Sequence, residues 1–320
     1  MNRTWRAVTV DDAEAIADLL EAAEAVEPTN EHYSAEDIRD ELTVPNVRLA
    51  DGSVSVWDGP RLVGYAMAVP REAANPEHRM RVELAVHPEY RDVELGKQLL
   101  EWQERTAQAL HAKTFPNARL ELHARVYESQ QWYASVLQAA GFAMARSFAT
   151  MRAELEKLPP RPELPPSLRL VGYEPAYEDP TREAVNDAFS GHWGMTPYSP
   201  ELWRHRMIDG PAFRPRTSFL LLTEDGEVGS FVLSAFYQAE MEVTGVREVL
   251  IAYVGTRSAL RGHGVATALL AHTLVAARDQ GYERAALEVD ESNAHNALDI
   301  YRRCGFEVTQ RVHAWVRPMP

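Results

Sequence analysis

The sequence predicts an α/β protein, an α+β arrangement with a mixed sheet, built twice over in 320 residues. Three observations predict it. Strand-length apolar runs alternate with helical ones along the chain. A strand, a turn and a helix meet at Arg91 to Gly96, and again at Arg261 to Gly264. A later helix in each half is closed by Gly-Phe, at Gly141-Phe142 and Gly305-Phe306. The two arginines are 170 positions apart and the two glycines 164, so one structural unit recurs with modest loop-length differences.

In the first half, Trp5 to Val10 reads as a strand. Asp11 is placed to cap a helix through Ala13, Ile16, Leu19, Leu20 and Ala23. A short helix is expected near Ala35 to Leu42. Val54 to Trp57, Asp58-Gly59 and Arg61 to Val69 read as a β-hairpin with its turn. Val82 to Val86 is the next strand. The helix after Arg91 carries Leu95, Leu99, Trp102 and Thr106 on one face. Leu120 to Val126 is a strand, a helix runs to Ala140, and Phe148 to Leu155 is a closing strand.

Five prolines in the nine residues Leu158 to Pro166 call for an extended connector. This places the domain boundaries at 1–157, a linker at 158–167, and 168–320. The second half repeats the order. Leu168 to Tyr173 is a strand, and Thr181 is placed to cap a helix through Ala184, Val185 and Ala188. Pro200 starts a short helix toward Ile208. Phe219 to Thr223 and Val228 to Tyr237 form a hairpin about Asp225-Gly226. A strand from Val249 to Val254, the loop, a long helix, a strand at 285–289, the Tyr301 helix and a strand from Val308 to Val316 complete it.

Composition narrows the function. A net charge of −14 argues against nucleic acid, which wants a basic face. An acidic protein attracts cationic small molecules, weakly at cellular salt. No apolar run reaches the ~20 residues that span a bilayer, so no membrane segment is expected. No apolar leader follows Met1, which points to the cytoplasm. The single Cys304 can form neither an internal disulfide nor a metal cluster, and it reads as a buried small hydrophobe; no metal is expected. A monomer and a homodimer both remain open.

The stretch Val254 to Thr267 carries the chemistry. An apolar strand enters a turn with two glycines in three residues, and a helix leaves it with Ala266, Leu269, Leu270, Thr273, Leu274 and Ala277 on one face. The first N–H groups of such a helix have no internal partner and the dipole is positive there, so the turn is an anion site. Gly262 and Gly264 let a phosphate approach the backbone, and Arg261 adds charge at the mouth. No Gly-Lys-Ser/Thr follows, and the third glycine of the dinucleotide pattern is missing. Without a ligand, the same turn is an ordinary strand-to-helix connection.

The pattern Arg-x-x-Gly-x-Ala, as Arg261, Gly264 and Ala266, resembles the acyl-CoA pyrophosphate loop of the GNAT N-acetyltransferase superfamily. The order that follows strengthens the resemblance: a strand, Asn293, a helix with Tyr301, then Gly305-Phe306. It extends over nearly the whole chain as two tandem GNAT-like acyl-CoA N-acyltransferase domains. The resemblance implies an acetyl-CoA-dependent N-acetyltransferase acting on a small-molecule amine. The loop residues Thr256, Arg261, Gly262, His263, Gly264, Val265, Ala266 and Thr267 would hold the cofactor, acetyl-CoA. Val254 would offer a backbone N–H to the thioester carbonyl, and Asn293 would bond the pantetheine or cap its helix. Tyr301 would be the general acid, or a core aromatic.

Glu248 is a candidate base. Period-two alternation places Glu248, Leu250, Ala252 and Val254 on one face, though the residue also reads as an ordinary strand-start charge. Glu242, Glu288 and His192 are weaker candidates. His192 and Trp193 are placed to line the acceptor pocket. Gly262 and Gly264 align with Asp92 and Glu94, Tyr301 with Leu137, and Asn293 with Ser129. The first half therefore reads as degenerate and non-catalytic. A tandem acyl-CoA sensor without turnover is the competing reading.

Overall fold

The computed structural model describes residues 3–292 and 297–319. In chain order the first elements are β1 (Thr4–Arg6), α1 (Ala13–Glu24), α2 (Ala35–Leu42), α3 (Leu49–Gly52), β2 (Ser53–Asp58), β3 (Arg61–Ala74) and β4 (Glu77–Val86). Then come α4 (Val93–Thr114), β5 (Arg119–Tyr127), α5 (Gln131–Ala139) and β6 (Ala143–Glu154). The second series is β7 (Arg169–Gly172), α6 (Glu178–Ala188), α7 (Pro200–Trp203), β8 (Phe219–Leu222), β9 (Val228–Ala235), α8 (Gln238–Thr244) and β10 (Glu248–Thr256). It closes with α9 (Val265–Asp279), β11 (Arg284–Asp290), α10 (Ala297–Arg303) and β12 (Glu307–Pro318).

These elements form two compact units whose boundaries differ from those expected. The first joins Met1–Ser147 to Val312–Pro320; the second is Phe148–Arg311. In the first, β1, β2, β3 and β4 run as antiparallel neighbours, β5 lies parallel to β4, and residues 312–318 of β12 pair antiparallel with β5. In the second, β7 to β10 repeat the antiparallel run, β11 lies parallel to β10, and residues 148–154 of β6 pair antiparallel with β11. Each unit thus takes its sixth strand from the other end of the sequence repeat. Burial follows the exchange. Ala149, Met151 and Ala153 are buried in the core of the second unit, whereas Val312 and Ala314 are buried strand residues of the first.

The proline-rich segment is therefore not a linker between units. It lies within the second unit, where Leu158 and Leu164 pack on the core and the Arg161 guanidinium meets His272 Nδ1 at 3.1 Å. Two expected caps also move. Asp12, not Asp11, organises the entry to α1: its carboxylate accepts from the Thr9 N–H at 2.8 Å and pairs with Arg6. Thr181 is buried inside α6 rather than capping it, because Pro180 is tolerated within the first helical turn. The hairpin turns at Asp58-Gly59 and Asp225-Gly226 form as expected. Helix α8 was not foreseen.

Candidate functional site

The loop between β10 and α9 has the geometry of an anion site. Gly262 sits at φ +80° and Gly264 at +74°. That left-handed backbone costs any other residue about 1–2 kcal/mol. A Cβ built on either glycine would meet nothing within 4 Å, so open space stands before the helix. Gly264 is the N-cap of α9 and supplies no side chain to satisfy the first-turn N–H groups. The first unit solves the same junction differently. There Asp92 caps α4, and its carboxylate accepts from the Leu95 N–H at 2.6 Å. That hydrogen bond, followed by the Arg3 ion pair, holds the Asp92 carboxyl below its usual range, against the opposing effect of partial burial. The anion position of α4 is filled from within. A Cβ on Gly96 would also lie 3.0 Å from the Trp132 ring, so α5 packs directly on this turn.

Arg261 does not point out as a free charge at the mouth. Its Nε donates to the Thr256 carbonyl at 3.0 Å and its Nη2 to that of Ala188 at 3.0 Å. It pins the loop to the end of β10 and to α6. Thr256 is buried, with its hydroxyl 2.9 Å from that of Ser230, and acts as a second anchor.

Next to the loop, β10 and β11 part. Their parallel pairing covers only Glu248–Leu250 against Arg284–Ala286. Beyond it lies a cavity of about 620 Å³, lined on one side by residues 251–256 and on the other by 287–290. Its wall includes Val254, Gly262, Gly264, Val265, Ala266 and Thr267, with Arg261, Thr256, His192 and Tyr301 also reaching it. His263 is exposed and outside that lining. Asn293 lies outside the described residues.

A bulge in β10 overturns the expected alternation. Ile251 pairs with Ser234 and Tyr253 with Leu233, which leaves Ala252 as an extra residue. Ala252 and Tyr253 consequently pack together on the α6 side, while Val249, Ile251 and Val254 pack on the α9 side. Glu248 therefore does not share a face with Val254. It is buried at the start of β10, ion-paired to Arg152 at 3.1 Å and to Arg284, and does not line the cavity. Its carboxylate is committed to two guanidiniums away from the cavity, so the candidate base is corrected to a structural ion pair.

Tyr301 enters the cavity from α10. Burial, with a smaller contribution from Cys304, pushes its hydroxyl pKa up to about 12. The group is a proton donor at neutral pH. Its hydroxyl has no hydrogen-bond partner among the described residues. Cys304 is buried, its Sγ 3.8 Å from the Thr267 carbonyl, and burial raises its pKa to about 11. It is an inert thiol that seats α10 on α9.

The α6 side of the cavity is aromatic. Phe148, Phe189, His192 and Tyr253 line it. Phe189 meets His192 at 4.7 Å and Tyr253 at 5.7 Å between ring centroids. The Tyr253 hydroxyl lies 2.5 Å from that of Tyr198. Trp193 is outside the lining, with its ring centroid 6.3 Å from that of Phe148. Sequence reading missed Phe148 and Tyr253. Phe148 begins a strand that the repeat assigns to the other half, and Tyr253 reaches this face through a bulge that alternation cannot show. Among the described residues no group of His, Cys, Asp and Glu side chains could hold a metal ion, and no helix is long and apolar enough to cross a membrane.

Comparison with known proteins bears on the family and the fold. The profile of the acetyltransferase (GNAT) family matches residues 14–130 and again 179–306. A mycothiol acetyltransferase of Thermobispora bispora is 30% identical over 308 residues, which cover 93% of each chain. That of Mycolicibacterium smegmatis is 28% identical over 252 residues, covering 78% of this chain and 79% of its own. A GCN5-related N-acetyltransferase from Sphaerobacter thermophilus superposes with a TM-score of 0.77 at 24% identity, over 99% of this chain and 95% of its own. A tandem GNAT protein from the clavulanic acid biosynthesis pathway gives 0.75 at 19% identity, over 100% and 99%.

Proposed function

Because this chain belongs to the GNAT acetyltransferase family, we propose that its single working site lies in the second unit and acetylates a primary amine of a small molecule. The chain is an acetyl-CoA-dependent acyltransferase; the site and the acceptor are our reading. The observation that carries it is one cavity bounded by an uncapped helix N-terminus at Gly264 and by a protonated Tyr301.

The residues fit acetyl-CoA. The open space before Gly262 and Gly264 accommodates a pyrophosphate on the first N–H groups of α9. The parted strands leave room for the pantetheine arm, with backbone of residues 251–256 along it. When bound, acetyl-CoA supplies an activated acetyl group. Val254 is placed to offer its N–H to the thioester carbonyl, and Tyr301 to give a proton to the leaving sulfur. The first unit, with Asp92 in its anion position and Trp132 on the turn, is a non-catalytic domain in this reading. Relatives named mycothiol acetyltransferases make a cysteinyl thiol precursor the first acceptor to try.

Calorimetric titration of the whole chain with acetyl-CoA tests this. One site per chain is expected, lost in Gly264→Glu and kept in Tyr301→Phe. Two sites would show that the first unit binds as well. Binding without release of CoA across an amine panel would favour the acyl-CoA sensor.

A further inference from the structure

We infer that Arg261, although it stands on the cofactor loop, is a positioning residue for the acceptor: its guanidinium holds the end of α6, from which Phe189 and His192 line the cavity. The inference rests on the acyl-transfer reading above, and it assigns Arg261 to amine binding rather than to phosphate.

The cavity reaches both faces of the sheet. Ile251, Val254, Val265 and Tyr301 border it on the α9 side, where the uncapped turn and the proton donor stand. Phe189, Ala252 and Tyr253 border it on the α6 side. An amine that attacks a thioester held from the first side is left the second.

The end of α6 shapes that second side. The last carbonyls of a helix have no partner within it. Those of Val185 and Asp187 accept the N–H groups of Phe189 and Ser190 at 3.0 and 3.3 Å. The Ala188 carbonyl accepts from Arg261 Nη2 at 3.0 Å. A cation there also suits the negative end of the helix dipole. The chain leaves α6 directly into the cavity wall. Phe189 follows Ala188, and the His192 N–H donates back to the Phe189 carbonyl at 2.9 Å.

The loop has other anchors than this guanidinium. Arg257 Nε donates to the Val228 carbonyl at 2.8 Å, and the Thr256 hydroxyl meets that of Ser230. The Leu260 N–H donates to the Arg257 carbonyl at 3.0 Å, and the Arg261 N–H to that of Ser258 at 3.2 Å. The Arg261 Nε contact is matched by Arg91 in the first unit, so it belongs to the scaffold. The other arm of the fork differs. Arg91 Nη1 reaches the Glu27 carboxylate at 2.8 Å, and Glu27 in turn accepts the Trp132 N–H at 2.9 Å near the start of α5. The first unit spends that arm on a carboxylate; the second spends it on the helix that carries the cavity wall.

The test uses the full chain, with 2-phenylethylamine, glucosamine and S-methylcysteine amide as acceptors and free CoA measured by chromatography. Two variants separate the roles. Arg261→Lys keeps the charge but cannot span two carbonyls, and Arg261→Met removes both charge and donors. Both should raise KM for the best acceptor by about 10-fold, the low end for one hydrogen bond to a charged group. kcat, and acetyl-CoA affinity by calorimetry, should hold within about threefold. Amide exchange read by mass spectrometry should quicken by about 10-fold over residues 189–192 and stay as in wild type over α9. Acetyl-CoA affinity lost in Arg261→Met and kept in Arg261→Lys, with amine KM unchanged, would make Arg261 a phosphate cation and overturn the inference. Unchanged KM or unchanged exchange at 189–192 in both variants also refutes it, while leaving wild-type turnover and the acyl-transfer reading intact. Faster exchange over α9 together with lost acetyl-CoA affinity is a general loss of structure and counts against a local role. Wild-type protein that binds acetyl-CoA but turns over none of the three amines sinks the N-acetylation reading, and this role with it.

Discussion

Replacing Gly264 by alanine separates backbone strain from ligand binding. Gly264 holds φ +74° with nothing within 4 Å of a Cβ. Alanine there meets no clash and bears only the left-handed penalty of about 1–2 kcal/mol. Gly245, which ends α8, supplies the control: its φ is +70° and its Cβ position is equally open. Both variants should lose similar stability, about 2–4 °C in Tm for each kcal/mol in a unit of this size. Their affinities should differ. Alanine at 264 relieves its strain by turning φ negative, which swings the first N–H groups of α9 away from the phosphate position. Losing one hydrogen bond to a charged group costs about 1.5–3 kcal/mol, roughly 10- to 150-fold in Kd. Titration calorimetry with acetyl-CoA, beside scanning calorimetry of both variants, reads the two quantities. Equal Tm losses with unchanged acetyl-CoA affinity at 264 would refute the anion-site argument. So would an equal loss of affinity in Gly245→Ala.

Three further outcomes follow from the same geometry. Tyr301→Phe should reduce kcat by about 10²–10⁴-fold with acetyl-CoA affinity intact; since its pKa is raised to about 12, the activity it supports should persist through pH 10 and fall only as pH rises further. Glu248→Gln breaks a buried ion pair with Arg152 and Arg284, and should cost about 3–5 kcal/mol in chemical denaturation while kcat of the folded protein holds. In the first unit, His78 is buried with its Nδ1 2.8 Å from that of His111. Burial, then the neighbouring histidine, holds its pKa below the ordinary 6.5, so its share of stability is present above pH 6.5 and lost on acidification. His78→Leu should therefore flatten the fall of Tm between pH 6.5 and 5.

Much of this fold could be read from periodicity because its helices and hairpins are local. The Asp-Gly turns and the α9 face depend on neighbours a few residues away, and they form where the pattern places them. The strand exchange depends on distant pairing. Both β6 and β12 are apolar alternations that satisfy either unit, so their sequence alone carries no address. The β10 bulge is a similar case. It adds one residue opposite Ser234 and Leu233, and no residue type in Ile251, Ala252 and Tyr253 announces it. That one residue moved Glu248 off the face of Val254 and brought Tyr253 onto the cavity.

The paired arginines show which part of the loop motif speaks for a ligand. In the first unit Arg91 Nε donates to the Val86 carbonyl at 3.2 Å; in the second Arg261 Nε donates to Thr256 at 3.0 Å. Both pin a strand end to the loop after it. The same contact stands beside Asp92, whose carboxylate fills the anion position, and beside Gly264, which brings no capping side chain. An arginine that keeps its place under both conditions is explained by the scaffold. The left-handed glycines are not, because a strand-to-helix junction closes without them in the first unit. Their conformational strain in any other residue, set against open space at a helix N-terminus, is what a phosphate-binding turn requires and a structural turn does not.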